Sequence, residues 1–313
     1  MKRVLLTGAT GFIGRHASSF LVARGYEVHA VSSRQCAEAI AGIHWHQANL
    51  LDDAETSRLL TEVRPTHLLH FAWYAEPGKF WHSTDNFRWL AASIALLRRF
   101  GEQGGKRVVI AGTCAEYDWD YGFCSETITP CRPATNYGVC KNALFETMRA
   151  FCSTAGMSSA WGRIFFLFGP HEHPARLVAS VITELLRGDT ARCTHGYQVR
   201  DFLHVVDVAS AFVALLDSTV EGAVNIASGQ PVAIREIVLA AAECLGAGDR
   251  VEFGALHPSK NEPPVLLADV RRLTGEVGWR PVYDLAGGIV QTVRSWSASE
   301  RSPAPTGKCP SKA

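Results

Sequence analysis

Tyr137 and Lys141 stand four residues apart in Asn136-Tyr137-Gly138-Val139-Cys140-Lys141. On a helix that spacing puts a phenol and an ammonium on one face. A neighbouring cation favours phenolate, so the pair is a candidate for passing a proton to or from an alcohol or sugar oxygen. The bland alternative is a surface contact between a ring and a cation. A second constellation opens the chain: Leu5-Leu6-Thr7-Gly8-Ala9-Thr10-Gly11-Phe12-Ile13-Gly14 is an apolar stretch, three glycines and the start of a helical pattern. Glycines let a backbone turn sharply and approach a pyrophosphate, whose charge then meets the positive end of a helix. A third group closes the next apolar stretch, Val31-Ser32-Ser33-Arg34. An acid there would bond the ribose hydroxyls of NAD and repel a 2′-phosphate. Two hydroxyls and a guanidinium suit a phosphate instead, which favours NADP with NAD as the alternative. Arg34 as an ordinary solvated residue is the competing reading.

These residues need elements to hold them. Short apolar runs at 3–6, 27–31, 43–46, 67–72 and 107–111 read as strands, with helical spacing at 12–24, 53–63 and 84–100 between them. A further helix is expected at 135–153 and a strand at 159–165. Strands separated by helices imply βαβ units and a mostly parallel sheet covered on both faces. After Gly169-Pro170 the alternation weakens, which we read as a smaller α+β lobe interleaved with the first domain. The expected division is 1–165, 166–296 and a frayed Ser/Pro/Lys-rich tail, 297–313.

Composition narrows the function classes. The 313 residues carry 31 Lys+Arg against 30 Asp+Glu, a net charge of +1 that gives no reason to expect binding to nucleic acid or to an anionic membrane. With 47% hydrophobic and 19% charged residues the chain reads as a compact soluble protein. No apolar run is long enough to span a bilayer. The N-terminal Met1-Lys2-Arg3-Val4-Leu5-Leu6 is cut short by Thr7-Gly8, so it is not read as a signal peptide. Nine cysteines, odd in number and without a CxxC pair, fit reduced thiols in a cytoplasm.

Together the motifs amount to a resemblance. TGATGFIG, GTCAEY and the Tyr137–Lys141 pair resemble those of an extended short-chain dehydrogenase/reductase, in the sugar-nucleotide epimerase/dehydratase family. The likeness continues through Arg200-Asp201-Phe202-Leu203-His204-Val205, Asn225-Ile226-Ala227-Ser228-Gly229 and Gly278-Trp279-Arg280-Pro281, to about residue 296. It implies a Rossmann-type doubly wound parallel sheet with a smaller substrate-binding lobe. It makes Tyr137 the acid/base, Lys141 its partner and holder of the nicotinamide ribose, and Thr113 the group that bonds the reacting oxygen. Gly8, Thr10, Gly11, Phe12, Ile13 and Gly14 would carry the cofactor diphosphate, and Ser32, Ser33 and Arg34 the 2′-phosphate. Asn49 and Leu50 would line the adenine pocket, with Ala72 and Trp73 near the diphosphate and Asn86 behind the site. The substrate side falls to Trp73, Thr113, Cys114, His173, Arg200 and Lys260; Arg200 would grip a nucleotide diphosphate or, on the bland reading, pair with Asp201. A homodimer through helices 84–100 and 135–153 is also implied.

Departures from the family pattern bear on the reaction. Dehydratases of this family use an Asp-Glu pair where this chain has Cys114 and Ala115, neither of which can do that acid/base work. Enzymes that combine 3,5-epimerisation with reduction use a cysteine at the position of Ala115, one residue away from Cys114. Gly169-Pro170-His171-Glu172-His173-Pro174 resembles the loop that carries those enzymes' catalytic histidine, so His173 is a minor candidate for an extra proton donor. Two histidines at i, i+2 with no third ligand in view do not make a metal site, and no metal is expected. The family's usual Asn in the strand after the helix is Phe166 here. Trp73, Tyr74, Phe80, Trp81, Trp119, Tyr121 and Phe123 fall in loops after the fourth and fifth strands, either as a dry pocket for a deoxysugar or as packing for a lid. The resulting expectation is an NADPH-dependent reductase of a nucleotide-linked 4-keto-6-deoxy sugar. A sugar-nucleotide epimerase is the alternative, and an NADP-binding regulator without turnover stands lower.

Overall fold

Alternation along the first strand sets the architecture. In β1 (Arg3–Thr7), Val4 and Leu6 face one layer of helices and Leu5 the other. A computed structural model describes residues 2–34, 41–258 and 262–301. After β1 come α1 (Gly14–Ala23), β2 (Glu27–Ser32), β3 (Ile43–Gln47), α2 (Asp53–Val63), β4 (His67–His70), α3 (Asp85–Glu102) and β5 (Arg107–Thr113). A short β6 (Phe123–Cys124) precedes α4 (Asn136–Ala155), β7 (Ser158–Ile164), β8 (Phe166–Phe168), α5 (Leu177–Leu186), β9 (Ala191–Cys193), β10 (Val199–His204) and α6 (Val205–Asp217). The chain closes with β11 (Gly222–Ile226), β12 (Pro231–Ala233), α7 (Ile234–Cys244), β13 (Val251–Phe253), β14 (Val265–Ala268) and α8 (Leu285–Arg301).

Seven strands form one sheet in the order β3-β2-β1-β4-β5-β7-β11, every pair parallel. Parallel strands need crossover helices, which cover both faces. One face packs Val4, Leu6, Val28 and Ala30 against Ala17 and Leu21 of α1 and Val208 and Phe212 of α6. The opposite face packs Leu5, Leu68, Val108 and Ile110 against α2, α3 and α4 through Leu60, Leu97 and Met148. The sheet order reverses beside β1, so its C-terminal edge there opens a crevice of the kind that holds ligands in doubly wound folds. This is the mostly parallel sheet that the sequence pattern leads one to expect, and the Rossmann-type α/β fold that the family resemblance implies.

A second sheet, β12-β10-β14-β6 with β8 against β10, sits over that edge, and α5, α7 and α8 bury Ile182, Ile237 and Ile289 behind it. The expected tail begins too early: α8 runs on to Arg301, carrying four residues past 297 in helix. No helix among the described residues is long and apolar enough to cross a membrane.

Candidate active site

The glycine turn is held by contacts that leave no room for side chains. Gly8 has φ +65, and the Gly11 N–H donates to its carbonyl at 2.9 Å. A Cβ on Gly14 would lie 2.1 Å from the Gly8 carbonyl oxygen, so α1 meets the turn only because that residue is glycine. Thr10 and Gly11 are exposed at the head of α1, with Phe12 and Ile13 half-buried beneath them. Thr7 ties this turn to β4. Its hydroxyl oxygen accepts from the N–H groups of Phe71 and Ala72, each at 3.2 Å, so its own proton goes to His70 Nδ1 at 2.7 Å. That fixes the His70 tautomer: Nε2–H donates to Ser93 on α3 at 3.0 Å. Burial holds His70 neutral, with a pKa lowered to about 3.

The end of β2 lies beside the end of β3. Ala48 N–H donates to the Ser32 carbonyl at 3.0 Å, which brings Asn49 and Leu50 next to Ser32, Ser33 and Arg34. Ser32 is buried and its hydroxyl accepts from the Arg34 N–H at 3.1 Å; Ser33 and Arg34 are exposed. Asn49 accepts from the Leu51 N–H at 3.1 Å and Leu50 is buried. No acid occupies positions 32–34. The exposed glycine backbone at a helix start, with these hydroxyls at the next strand end, fits a dinucleotide.

Thr113, Tyr137 and Lys141 come together from β5 and α4. Thr135 caps α4 by accepting from the Gly138 N–H at 3.1 Å. A Cβ on Gly138 would lie 2.3 Å from the Ala115 carbonyl oxygen, so only glycine lets the first turn of α4 rest on the segment after Thr113. The Thr113 hydroxyl bonds the Tyr137 phenol and eases its ionisation, but burial outweighs this and raises the phenol above its ordinary range. The Lys141 ammonium donates to the Ala111 carbonyl at 2.9 Å and sits 3.8 Å from the centre of the Trp73 ring but 6.0 Å from that of Tyr137. Burial lowers its pKa to about 7. The Ala111 carbonyl and the Trp73 indole thus hold the ammonium most closely, while burial raises the phenol and the Thr113 hydroxyl and the Arg176 charge act against that rise. Trp73 is oriented in turn by Asn86, whose Oδ1 accepts from the indole N–H at 2.9 Å.

Behind Thr113 lies a charge pair that sequence reading missed. Glu116, fully buried, accepts from Arg163 Nε at 2.7 Å, from the Trp161 indole at 2.9 Å and from the Thr113 N–H at 2.8 Å. Arg163 also donates to the Tyr117 hydroxyl at 3.1 Å, which donates to Asn225 at 2.7 Å. Glu116 is thus occupied in fixing the β5 terminus. Its available signal was the Thr-x-x-Glu capping box from Thr113. Cys114 is buried, which pushes its thiol up and keeps it a poor nucleophile.

Of the residues expected to meet substrate, Arg200 is 1% exposed and donates to Glu262 at 2.9 Å and to the Val199 carbonyl at 2.9 Å. Its guanidinium lies over the Phe166 ring at 5.3 Å, and the surface pair with Asp201 is not formed; Asp201 bonds Ser228 and Gly229. His173 is exposed and accepts from the Ala175 N–H at 3.1 Å. Lys260 lies outside the described residues. Phe80 and Trp81 pack edge-on to Tyr137 at 4.8 and 5.9 Å, and Trp119 meets Trp81 at 6.2 Å, whereas Tyr121 and Phe123 are exposed. Arg176, 5.6 Å over Phe80, belongs to the same wall, and the buried Glu172, raised by burial to about 8, feels its charge; neither was singled out from sequence.

A strand–glycine turn–helix beside a Thr, Tyr and Lys defines an oxidoreductase-type enzyme of the extended short-chain dehydrogenase/reductase class. The profile of the NAD dependent epimerase/dehydratase family matches residues 4–227, and the chain belongs to that family. It is 27% identical to the UDP-glucuronic acid decarboxylase 1 of Xenopus tropicalis over 93% of this chain and 71% of that protein. It is 25% identical to the dTDP-6-deoxy-L-talose 4-dehydrogenase (NAD(+)) of Aggregatibacter actinomycetemcomitans over 75% of this chain and 87% of that one. Among solved structures, the UDP-glucose 4-epimerase of Thermus thermophilus in complex with NAD superposes with a TM-score of 0.82 at 27% identity, covering 94% of this chain and 98% of that one.

Proposed function

We propose that the chain is an NADPH-dependent reductase of a nucleotide-linked 4-keto-6-deoxy sugar, working in the cytoplasm. The observation that carries this reading is the meeting of Thr113, Tyr137 and Lys141 beside an apolar wall of Phe80, Trp81 and Trp119, with Cys114 and Ala115 directly after Thr113. The acid/base pair of a dehydratase is replaced by Cys114 and Ala115, and the next carboxylate, Glu116, is spent on Arg163. Ser32, Ser33 and Arg34 favour the 2′-phosphate of NADP. Residues 166–296 form most of the substrate lobe, where Arg200 takes the substrate diphosphate in exchange for Glu262.

When bound, the nicotinamide supplies hydride to the sugar's carbonyl carbon. Thr113 holds the carbonyl oxygen, and Tyr137 donates its proton to that oxygen as the alcohol forms. Lys141 would hold the nicotinamide ribose and keep a positive charge beside Tyr137. Two copies pairing through α3 and α4, where Phe87 and Val139 are 50% and 46% exposed, would make the dimer.

A sugar-nucleotide 4-epimerase is the second reading, favoured by the likeness to the Thermus enzyme and by the fact that the same three side chains suffice for it. Absorbance at 340 nm, followed with a panel of nucleotide-linked 4-keto-6-deoxyhexoses and NADPH or NADH, separates them. Stoichiometric NADPH oxidation with one sugar supports the reductase. Interconversion of a sugar nucleotide without net oxidation overturns it in favour of the epimerase.

A further inference from the structure

The outer edge of the main sheet carries a cluster of nitrogen and oxygen donors that the proposed reaction does not use. Glu27 and His29 alternate onto one face of β2, and His44 and His46 onto the same face of β3. The strand register sets His29 opposite His44. The His29 ring stacks with His44 at 4.9 Å and with His46 at 5.1 Å. One donor atom from each of Glu27, His29 and His44 lies within 4.8 Å of the others. Glu27 and His29 are shielded, with side chains 17% and 12% exposed, whereas His44 faces solvent at the edge.

We propose that Glu27, His29 and His44 form a binding site for one divalent transition-metal ion of the zinc class. Ligand atoms around tetrahedral zinc lie about 3.3–3.5 Å apart, given bonds of about 2.0–2.1 Å. Glu27 Oε1 and His29 Nε2 are already 3.0 Å apart, and the exposed His44 ring turns about its own side chain to complete the set. Arg3 holds the other oxygen of Glu27 at 3.0 Å, leaving Oε1 toward His29. Support behind the ligands is in place as well. With the metal on Nε2, the His29 proton sits on Nδ1 and donates to His46 Nε2, now 2.8 Å away. The His46 Nδ1–H then faces the Glu62 carboxylate, at 3.4 Å. A metal-bound histidine ordinarily needs such an outer partner to fix its tautomer. Water completes the coordination. The ion would pin edge strand β3 to β2, at the opposite end of β2 from Ser32.

The test uses chelator-treated full-length protein titrated with Zn²⁺ alone against a chromogenic chelator, with thermal unfolding in parallel. The expected result is one tightly held equivalent per chain and a higher unfolding midpoint with zinc. His44→Ala and Glu27→Gln should each weaken that equivalent at least tenfold, while Cys244→Ser, at an exposed thiol, leaves it unchanged. Failure to compete with the chelator overturns the proposal. So does zinc binding that persists undiminished in both His44→Ala and Glu27→Gln.

Discussion

The Lys141 ammonium lies 3.8 Å from the centre of the Trp73 ring, and Asn86 fixes that ring through its indole N–H. A ring face stabilises a cation, by about 2 kcal/mol when both are desolvated. Burial brings Lys141 down to about 7, so the lysine loses its proton as pH rises through neutrality. If the proposed reduction needs the ammonium, kcat/KM falls above that pH. Removing the ring takes away a contact that favours the cation and lowers the pKa further. In Trp73→Leu the alkaline limb of the pH–rate profile should move about 0.5–1.5 pH units to lower pH. Trp73→Phe should move it less. A profile that does not shift in Trp73→Leu refutes the coupling.

Tyr137→Phe removes the proposed proton donor but keeps the ring between Phe80 and Trp81. Turnover should drop by about 10²–10⁴-fold while the unfolding midpoint stays near the parent value. Steady-state kinetics beside a thermal melt checks both halves. Near-normal turnover would remove Tyr137 from the mechanism.

Gly14→Ala places a methyl where the Gly8 carbonyl oxygen already stands. The turn must open, and overpacking of this kind costs about 1–3 kcal/mol. Dinucleotide binding, read by fluorescence titration, should be lost along with a lower unfolding midpoint.

Glu116 and Arg163 form a buried pair, 0% and 2% exposed as side chains. Arg163→Met leaves a carboxylate uncompensated in the interior and should cost about 3–5 kcal/mol. The double change Glu116→Leu with Arg163→Met should recover part of that loss, as measured by urea unfolding. Additive losses would show that the two charges are not coupled.

Cofactor choice is tested at the end of β2. Ser32→Asp with Arg34→Leu supplies the acid that bonds ribose hydroxyls and removes a phosphate partner. The ratio of kcat/KM for NADPH to that for NADH should fall by at least tenfold. An unchanged ratio would mean that other residues make the choice.

Local sequence carried most of the sheet, because alternation and helical spacing are local properties. Leu5 between Val4 and Leu6 already tells which side chains face which layer. The glycine turn was readable for the same reason, and Gly138 beside Tyr137 is a small residue where two backbones meet. Long-range partners were not readable. Nothing adjacent to Lys141 in sequence announces the Ala111 carbonyl or the Trp73 ring that hold its ammonium. Arg163 sits in an apolar strand with its carboxylate 47 residues away, and His29 meets His44 only through strand register.

The seventh strand of the main sheet, β11, reaches its place against β7 only after the chain has already laid down β8 and β10 of the second sheet. A nascent polypeptide emerging from the ribosome therefore exposes the unpaired flank of Ser158–Ile164 until Gly222 has been synthesised. Such an open flank recruits other strands. The order of synthesis thus leaves the sheet built by residues 3–164 dependent on later residues for its last seal, and truncation after β7 should yield a sticky fragment rather than an autonomous domain.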